Sequence, residues 1–224
     1  MTHLEEELTL LKSEITVMWQ LVISQLHKTR EALVQFDKDL AREVVATEKR
    51  VNSLELKIDR DCENIFALFN PVAIDLRLVL AILKINNNLE RSGDIAEGIA
   101  KYIIEADQPF DETLLAVTSI LQMYDEANGI LEDVLTAFEN EDTKLARSVF
   151  KRDDVLDEIN FKANDAVAAY IRQFPDKIEE SLYLISMIRK LERVGDQSKN
   201  IAEEIIFYVE AKVLKHKKNK RKEE

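Results

Sequence analysis

Apolar side chains recur along this chain at alternating steps of four and three residues, the spacing of one face of an α-helix. One such seam runs through Leu78, Ile82, Ile85, Leu89, Ser92, Ala96, Ile99 and Ile103. Another, near the end of the chain, runs through Leu184, Met187, Leu191, Val194, Ser198, Ile201 and Ile205. Both seams predict long helices whose apolar faces pack against other helices.

The same periodicity, with the three prolines as boundaries, predicts six long helices. They span 4–37, 40–68, 72–106, 111–138, 142–173 and 177–216. Pro71 and Pro175 precede the third and sixth helices, and Pro109 lies before the fourth, because proline is tolerated at a helix start and disfavoured inside one. Long helices joined by short loops lie antiparallel to their neighbours. We therefore predict an all-α protein built of helical bundles.

Short motifs occur twice along the chain. Leu-Glu-Arg-Ser-Gly-Asp at 89–94 returns as Leu-Glu-Arg-Val-Gly-Asp 102 residues later, and Leu-Ala-Arg at 40–42 returns 105 residues later. Such self-similarity is typical of a duplicated structural unit. We predict two tandem, pseudo-symmetric three-helix bundles, at 1–107 and 108–214, followed by a basic tail at 215–224.

The composition agrees with this prediction. Four glycines and three prolines in 224 residues are too few for a β-rich protein, which needs many turns. Cys62 is the only cysteine, which excludes an intrachain disulfide and a four-cysteine zinc site. The first residues do not resemble a signal peptide, and no apolar run approaches the roughly 20 residues that span a bilayer. We expect a cytoplasmic protein.

The formal net charge is −12. Residues 215–224 contribute +4, so the rest of the chain carries −16. An acidic body repels nucleic acid and attracts cations. The basic tail could touch anionic lipid or RNA, or could simply be a solvated end that favours the dipole of the last helix.

Oxygen-bearing side chains follow the predicted helices at helical spacing. In the third and sixth helices they are Glu90 and Asp94, and Glu192, Asp196 and Asn200. In the second helix they are Glu48, Asn52, Glu55 and Asp59, and 105 residues later they are Asp153, Asp157, Asn160 and Asn164. Residues four apart share a helix face, so each unit should carry two facing acidic rows.

Facing carboxylate rows suit hard cations such as Mg²⁺, Ca²⁺, Mn²⁺ or iron. The alternative is that the rows are ordinary solvated helix faces, partly neutralised by Arg91 and Arg193. Gly93 and Gly195 sit at matching positions inside helices, where glycine costs about 1 kcal/mol relative to alanine. Either the close approach of a helix or ligand, or a simple packing need, would explain them.

The sequence contains no motif typical of a di-iron oxidase, a phosphate-binding loop or a nucleophilic enzyme. His3, His27 and His216 lie away from the acidic rows, and there is no Glu-x-x-His pair of the di-iron kind. The chain has no glycine-rich phosphate loop and no recognisable nucleophile motif. We therefore expect a protein that is not an enzyme.

Several of these motifs resemble the PhoU family. They are Asp75-Leu76-Arg77, Glu90-Arg91-Ser92-Gly93-Asp94, Glu192-Arg193-Val194-Gly195-Asp196 with Asn200-Ile201-Ala202, and Val51 to Glu55 running on to Asp59. The resemblance covers about residues 8–212 and implies two three-helix bundles. It also implies metal ions (iron, zinc, magnesium or manganese) held at Glu55–Asp59, Glu90–Asp94, Asp153–Asp157 and Glu192–Asp196.

In function, the resemblance implies a repressor of phosphate uptake and of the phosphate-starvation response. Its partners would be the phosphate ABC transporter, through its ATPase subunit, and a membrane sensor histidine kinase. Members of the family often form homodimers. Three alternatives stay open: an accessory protein of a low-affinity phosphate symporter, a metal-dependent phosphoester enzyme and a purely structural bundle.

The sequence departs from the family pattern at four positions. Gly98 stands where asparagine is frequent, Ser92 replaces isoleucine, Asn52 replaces a possible ligand, and Lys177 stands at the place of Asp75 in the second unit. We therefore expect the two metal sites to differ, with the first the weaker.

Overall fold

The computed structural model describes residues 2–214 and contains helices without strands over that range. A 3-10 turn, Pro175–Lys177, precedes the last helix. The α-helices are α1 (His3–Gln35), α2 (Lys38–Phe69), α3 (Ala73–Glu105), α4 (Glu112–Thr118), α5 (Ile120–Asn140), α6 (Thr143–Gln173) and α7 (Ile178–Glu210). The predicted all-α class is confirmed.

The predicted fourth helix is divided in two at Ser119. This residue has left-handed backbone angles (φ 54°), which interrupt the helical hydrogen bonding between α4 and α5. Leu114 and Ile120, on either side of the break, are both buried. The turn lets α4 contact α6 as well as α5, so packing has overridden a continuous helical pattern.

Aspartate caps begin the middle helix of each repeat. The Asp37 carboxylate accepts backbone N–H groups at the start of α2, at 2.9 Å each. Asp142, 105 residues later, does the same at the start of α6, at 2.9 and 3.0 Å. A capping carboxylate satisfies free N–H groups and favours the helix dipole. The duplication therefore extends to the turns that orient the helices.

Each repeat packs as a bundle, and the two bundles share an interface. Helices α1, α2 and α3 contact one another, as do α5, α6 and α7, while α3 packs along α7 and α1 contacts α5. Trp19 of α1 is fully buried, and its indole N–H donates to the Leu131 carbonyl of α5 at 3.2 Å. The core is therefore continuous across the repeats.

Polar contacts set the register of α3 against α7. The Arg77 Nε–H donates to the Tyr208 carbonyl at 3.0 Å, where it satisfies the C-terminal turn of α7. The Lys84 ammonium pairs with Glu204 at 2.9 Å. These contacts give Arg77 of the Asp-Leu-Arg motif a structural role between the repeats.

The last helix is shorter than predicted. It ends at Glu210, and Ala211 has left-handed angles (φ 56°). Residues 211–214 are not helical, and the basic tail at 215–224 lies outside the described residues. Among residues 2–214 we find no helix with the apolar length that crossing a bilayer requires.

Candidate metal centre

Helices α2 and α3 bring the predicted carboxylates of the first repeat together. We call Glu48, Glu55, Asp59, Glu90 and Asp94 the first acidic site. The pKa of Glu90 is raised by burial, then by the charges of Asp94 and Glu55. The pKa of Glu55 is raised by burial, then by Asp59 and Asp94. Gly93 of α3 lies against Glu48 of α2, and Asn86 of α3 donates to Asp59 of α2, so the two helices face each other along these rows.

Glu48 is the most deeply placed member of the first acidic site. Its side chain is 3% exposed, and Oε2 accepts a hydrogen bond from Gln25 Nε2 of α1 at 2.8 Å. Oε1 is buried and has no hydrogen-bond partner among residues 2–214. Burial raises the pKa of Glu48 to about 7; the Gln25 hydrogen bond lowers this pKa, and the charges of Asp94, Glu97 and Glu90 raise it.

Gly93 of α3 makes room for this carboxylate. A Cβ atom at Gly93 would lie 2.7 Å from Glu48 Oε2 and 3.3 Å from Gln25 Oε1. Gly195 has the same relation to Asp153 in the second repeat, where a Cβ would collide with Oδ1. Both glycines therefore allow close approach of a buried carboxylate on the neighbouring helix, one of the two explanations that the sequence left open.

Two amide side chains complete the first acidic site, and sequence reasoning missed both. Gln25 lies on α1, which carries no acidic row, and holds Glu48. Asn86 is fully buried on α3, and its Nδ2 donates to the Glu55 carbonyl and to Asp59 Oδ1, at 2.9 Å each. A buried-face amide inside an apolar seam is the signal that could have revealed Asn86.

Helices α6 and α7 gather the carboxylates of the second repeat around a lysine. We call Asp153, Asp157, Glu192 and Asp196 the second acidic site. The Lys199 ammonium forms ion pairs with Asp153 Oδ2 and with Asp196 Oδ1, the latter at 2.8 Å. Burial raises the pKa of Asp153, and the Lys199 hydrogen bond and charge lower it. This site therefore contains its own cation.

The duplicated architecture and these motifs match a known family model. A model described as the PhoU domain matches residues 15–103 and again residues 120–205. This chain belongs to the PhoU family. The two matches fall on the two helical repeats and confirm the resemblance that the Glu-Arg-x-Gly-Asp motifs indicated.

Curated PhoU relatives align along most of the chain. The phosphate-specific transport system accessory protein PhoU homolog 1 of Thermotoga maritima is 35% identical over 214 residues, covering 95% of this chain and 91% of that protein. The phosphate-specific transport system accessory protein PhoU of Escherichia coli is 31% identical over 210 residues, covering 94% and 86%. Both alignments therefore extend through both repeats of this chain.

Crystal structures of PhoU proteins share the fold. PhoU from Pseudomonas aeruginosa superimposes with a TM-score of 0.85 at 31% identity, covering 93% of this chain and 99% of that one. The phosphate transport system regulatory protein PhoU from Streptococcus pneumoniae gives a TM-score of 0.81 at 26% identity, covering 95% and 99%. The helical arrangement described above is thus a PhoU arrangement.

The predicted asparagine ligand of this PhoU chain lies at the boundary between repeats. Asn200 is exposed, and its Nδ2 donates to Asn88 Oδ1 of α3 at 3.3 Å. Asn164, in the row of α6, accepts a hydrogen bond from Arg189 at 3.3 Å. Each amide thus has a hydrogen-bond partner other than a carboxylate of the second acidic site.

The two acidic sites differ in how well they suit a metal ion. As the side chains stand, no three His, Cys, Asp or Glu residues between 2 and 214 are grouped closely enough to hold one. Within the described chain, each site has a buried carboxylate oxygen without a partner beside a glycine, Glu48 Oε1 in the first and Asp153 Oδ1 in the second. The first site has only oxygen donors, a set that suits a hard cation. In the second site Lys199 pairs with two of the four carboxylates, Asp153 and Asp196, so the two sites differ in charge.

Proposed function

We propose that this PhoU chain is an accessory regulator of phosphate uptake. It would repress uptake and the phosphate-starvation response when phosphate is plentiful, as a cytoplasmic adaptor between the phosphate ABC transporter, through its ATPase subunit, and a sensor histidine kinase. The names of its relatives support the role in transport. The proposal assigns no reaction to the chain and treats its helical surfaces as docking surfaces.

We further propose that the first acidic site binds a hard divalent or trivalent cation. The observation that carries this is the buried, unpartnered Oε1 of Glu48, because a buried carboxylate without a counter-charge is costly unless a cation or donor satisfies it. Asp94 and Glu90 of α3 would turn towards the same ion, whereas Asp59 lies about 16 Å from Glu48 along α2, too far to share it. A bound cation would then join α2 to α3 and offset the repulsion among these carboxylates.

The regulatory proposal is tested by deleting the gene in the organism that carries it. We expect alkaline phosphatase and the phosphate-uptake genes to be expressed in high phosphate, where the parent strain keeps them off. Complementation with the wild-type gene should restore repression. Unchanged expression in the deletion strain would refute the proposed role in the starvation response.

The metal proposal and the partner proposal need separate measurements. A Glu48→Ala/Glu90→Ala variant should lose at least tenfold in Mn²⁺ affinity, whereas Glu63→Ala, an exposed position on α2, should not. If the wild type and both variants bind Mn²⁺ with equal affinity, the acidic rows are ordinary solvated helix faces and the metal proposal is wrong. A pull-down from membranes should recover the ATPase and the kinase; recovery of a phosphate symporter instead would reassign the partner.

A further inference from the structure

We propose that Lys199 is a built-in replacement for the metal ion in the second repeat, so that this chain binds metal only in its first repeat. The inference rests on the metal binding proposed for the first acidic site. It adds that the two halves of the duplicated protein are chemically unequal: one takes its cation from solution, and the other carries it as a side chain.

The placement of the Lys199 ammonium supports this assignment. Its Nζ is paired with both Asp153 and Asp196, one from each helix of the second acidic site. Asp153 is 3% exposed and lies against Gly195, in the position that Glu48 occupies against Gly93. The ammonium therefore sits between the two carboxylate rows, where a cation shared by α6 and α7 would sit.

The corresponding residue of the first repeat has the opposite charge. Lys199 matches Glu97, 102 residues earlier, in the same register that relates Gly195 to Gly93. Glu97 pairs with Lys101 on its own helix at 2.6 Å, and its charge raises the pKa of Glu48. One repeat thus adds a carboxylate where the other adds an ammonium. This difference in charge would favour an external cation in the first repeat and not in the second.

The neighbouring positions differ in the same direction. Gln25, which holds Glu48, is matched by Ile130, 105 residues later as Asp142 is from Asp37, and Asn86, which holds Asp59, is matched by Ile188. The first repeat therefore keeps polar groups that orient its carboxylates, and the second has apolar groups there. This is expected if a flexible lysine, and not an ion of fixed geometry, satisfies the second acidic site.

An ammonium and a metal ion exclude each other in the second acidic site. A protonated lysine has three donors and no lone pair, so it cannot become a ligand. The ion pairs with Asp153 and Asp196 hold the Lys199 side chain between the two carboxylate rows. A metal ion would have to break both pairs and place two positive charges side by side or expel the lysine side chain.

Metal content of the full chain tests the inference first. Mn²⁺ binding is measured for the wild type, for Glu90→Ala/Asp94→Ala and for Glu192→Ala/Asp196→Ala. We expect the first pair of substitutions to reduce Mn²⁺ affinity at least tenfold and the second pair to leave it unchanged. Mn²⁺ that stays bound in the first variant and is lost when Asp196→Ala is added would overturn the inference, while metal binding by the chain would survive.

Changing Lys199 tests the inference independently of the first acidic site. In the Glu90→Ala/Asp94→Ala background, Lys199→Glu recreates the charge of Glu97 and should raise Mn²⁺ affinity at least tenfold. Lys199→Met should lower the melting temperature, because Asp153 loses its counter-charge, and added Mn²⁺ should restore part of the loss. Lys151→Met, an exposed position on α6, is the matched control. Its melting temperature should equal that of the parent protein and should not respond to Mn²⁺.

The two sets of variants separate the failure of the inference from that of the metal proposal. If the wild type binds no Mn²⁺, the metal proposal for the first repeat fails, and the Lys199 variants then decide only whether Lys199 replaces a cation in the second repeat. A gain of Mn²⁺ binding in Lys199→Glu would still support that role of Lys199. The inference is wrong if Lys199→Glu gains no Mn²⁺ binding and Lys199→Met has the same melting temperature as the control. Lys199 would then not occupy a cation site.

Discussion

At the scale of single residues, Glu48 shows how the fold maintains an unfavourable charge. The carboxylate is held between α1, α2 and α3, with one oxygen on Gln25 and the other without a partner in the described structure. Nearby acidic groups add repulsion where a stabilising contact would normally be. Such a site reduces the stability of the metal-free protein, a pattern typical of functional positions.

We therefore predict that Glu48→Gln stabilises the metal-free protein in a pH-dependent way. The pKa of Glu48 rises from 4.5 in the unfolded chain to about 7 in the fold. Between these values the folded state holds a proton that the unfolded state has lost, so the free energy of unfolding falls as pH rises. The loss is complete above pH 7 and amounts to roughly 3 kcal/mol at most.

Chemical unfolding in the presence of a chelator measures this effect. The free energy of unfolding of Glu48→Gln should exceed that of the wild type by about 1–3 kcal/mol at pH 8. Near pH 4.5 the two values should be equal. The new amide can donate to Gln25 Oε1, which is buried and unpartnered within the described chain. Glu63→Gln, at an exposed site on α2, is the control. A wild type that is more stable than Glu48→Gln at pH 8 would contradict the burial argument.

At the scale of elements, glycines and left-handed residues decide where helices approach and where they break. Gly93 and Gly195 lie inside helices with ordinary helical angles, since the described chain has no glycine with positive φ. Their role is therefore space for a carboxylate and not backbone freedom. Ser119 is the opposite case, because a residue with a side chain adopts the left-handed angles that glycine adopts without strain.

Gly93→Ala should separate helix stability from metal binding. Alanine favours a helix over glycine by about 1 kcal/mol, so α3 should be kept or strengthened. The added methyl group would press on Glu48 Oε2, and we expect Mn²⁺ affinity to fall at least tenfold by calorimetric titration. Gly98→Ala on the same helix meets only the end of the Lys190 side chain and should keep the affinity. Equal affinities in the two variants would argue against the cradle.

Ser119→Gly should stabilise the break between α4 and α5. Glycine relieves the left-handed strain at φ 54°, and the expected gain is about 0.5–1 kcal/mol in the free energy of unfolding. Ser53→Gly, at an exposed position inside α2, should instead lower stability by about 0.5 kcal/mol. Denaturant titrations measure the free energy of unfolding of both variants and of the wild type. A loss of stability in Ser119→Gly would mean that its left-handed conformation is not strained.

At the scale of the whole molecule, the two repeats are joined by a shared core and by polar contacts. Trp19 is buried against α5, and Arg77 and Lys84 of α3 bond to α7. The sequence boundary between 107 and 108 is therefore a boundary of duplication. The division into two domains at this boundary stays a prediction.

We predict that the repeats unfold in one cooperative transition. Trp19 is the only tryptophan of the chain, so its fluorescence reports on the interface between α1 and α5, while circular dichroism reports on all helices. The two signals should have the same midpoint in urea, because loss of the shared core exposes both bundles. A fluorescence change that comes clearly before or after the loss of helicity would show separate unfolding of the repeats.

The sequence predicted the parts of this structure that depend on local spacing. The helical period and rows such as Glu90 and Asp94 arise from residues within a few positions of one another, and the duplication is visible in motifs that recur 102 and 105 residues later. The same reasoning joined α4 to α5 and extended α7 to 216, because a break that satisfies packing leaves little trace in apolar periodicity.

By itself, then, the sequence determined the helices, the doubled plan and the carboxylate rows, since hydrogen bonding and side-chain period within a helix are local properties. Only the tertiary structure decided which partner each carboxylate meets. Gln25 reaches Glu48 from another helix, and Lys199 reaches Asp153 across 46 residues of chain. Such contacts depend on the packing of whole helices, which spacing along one helix does not encode.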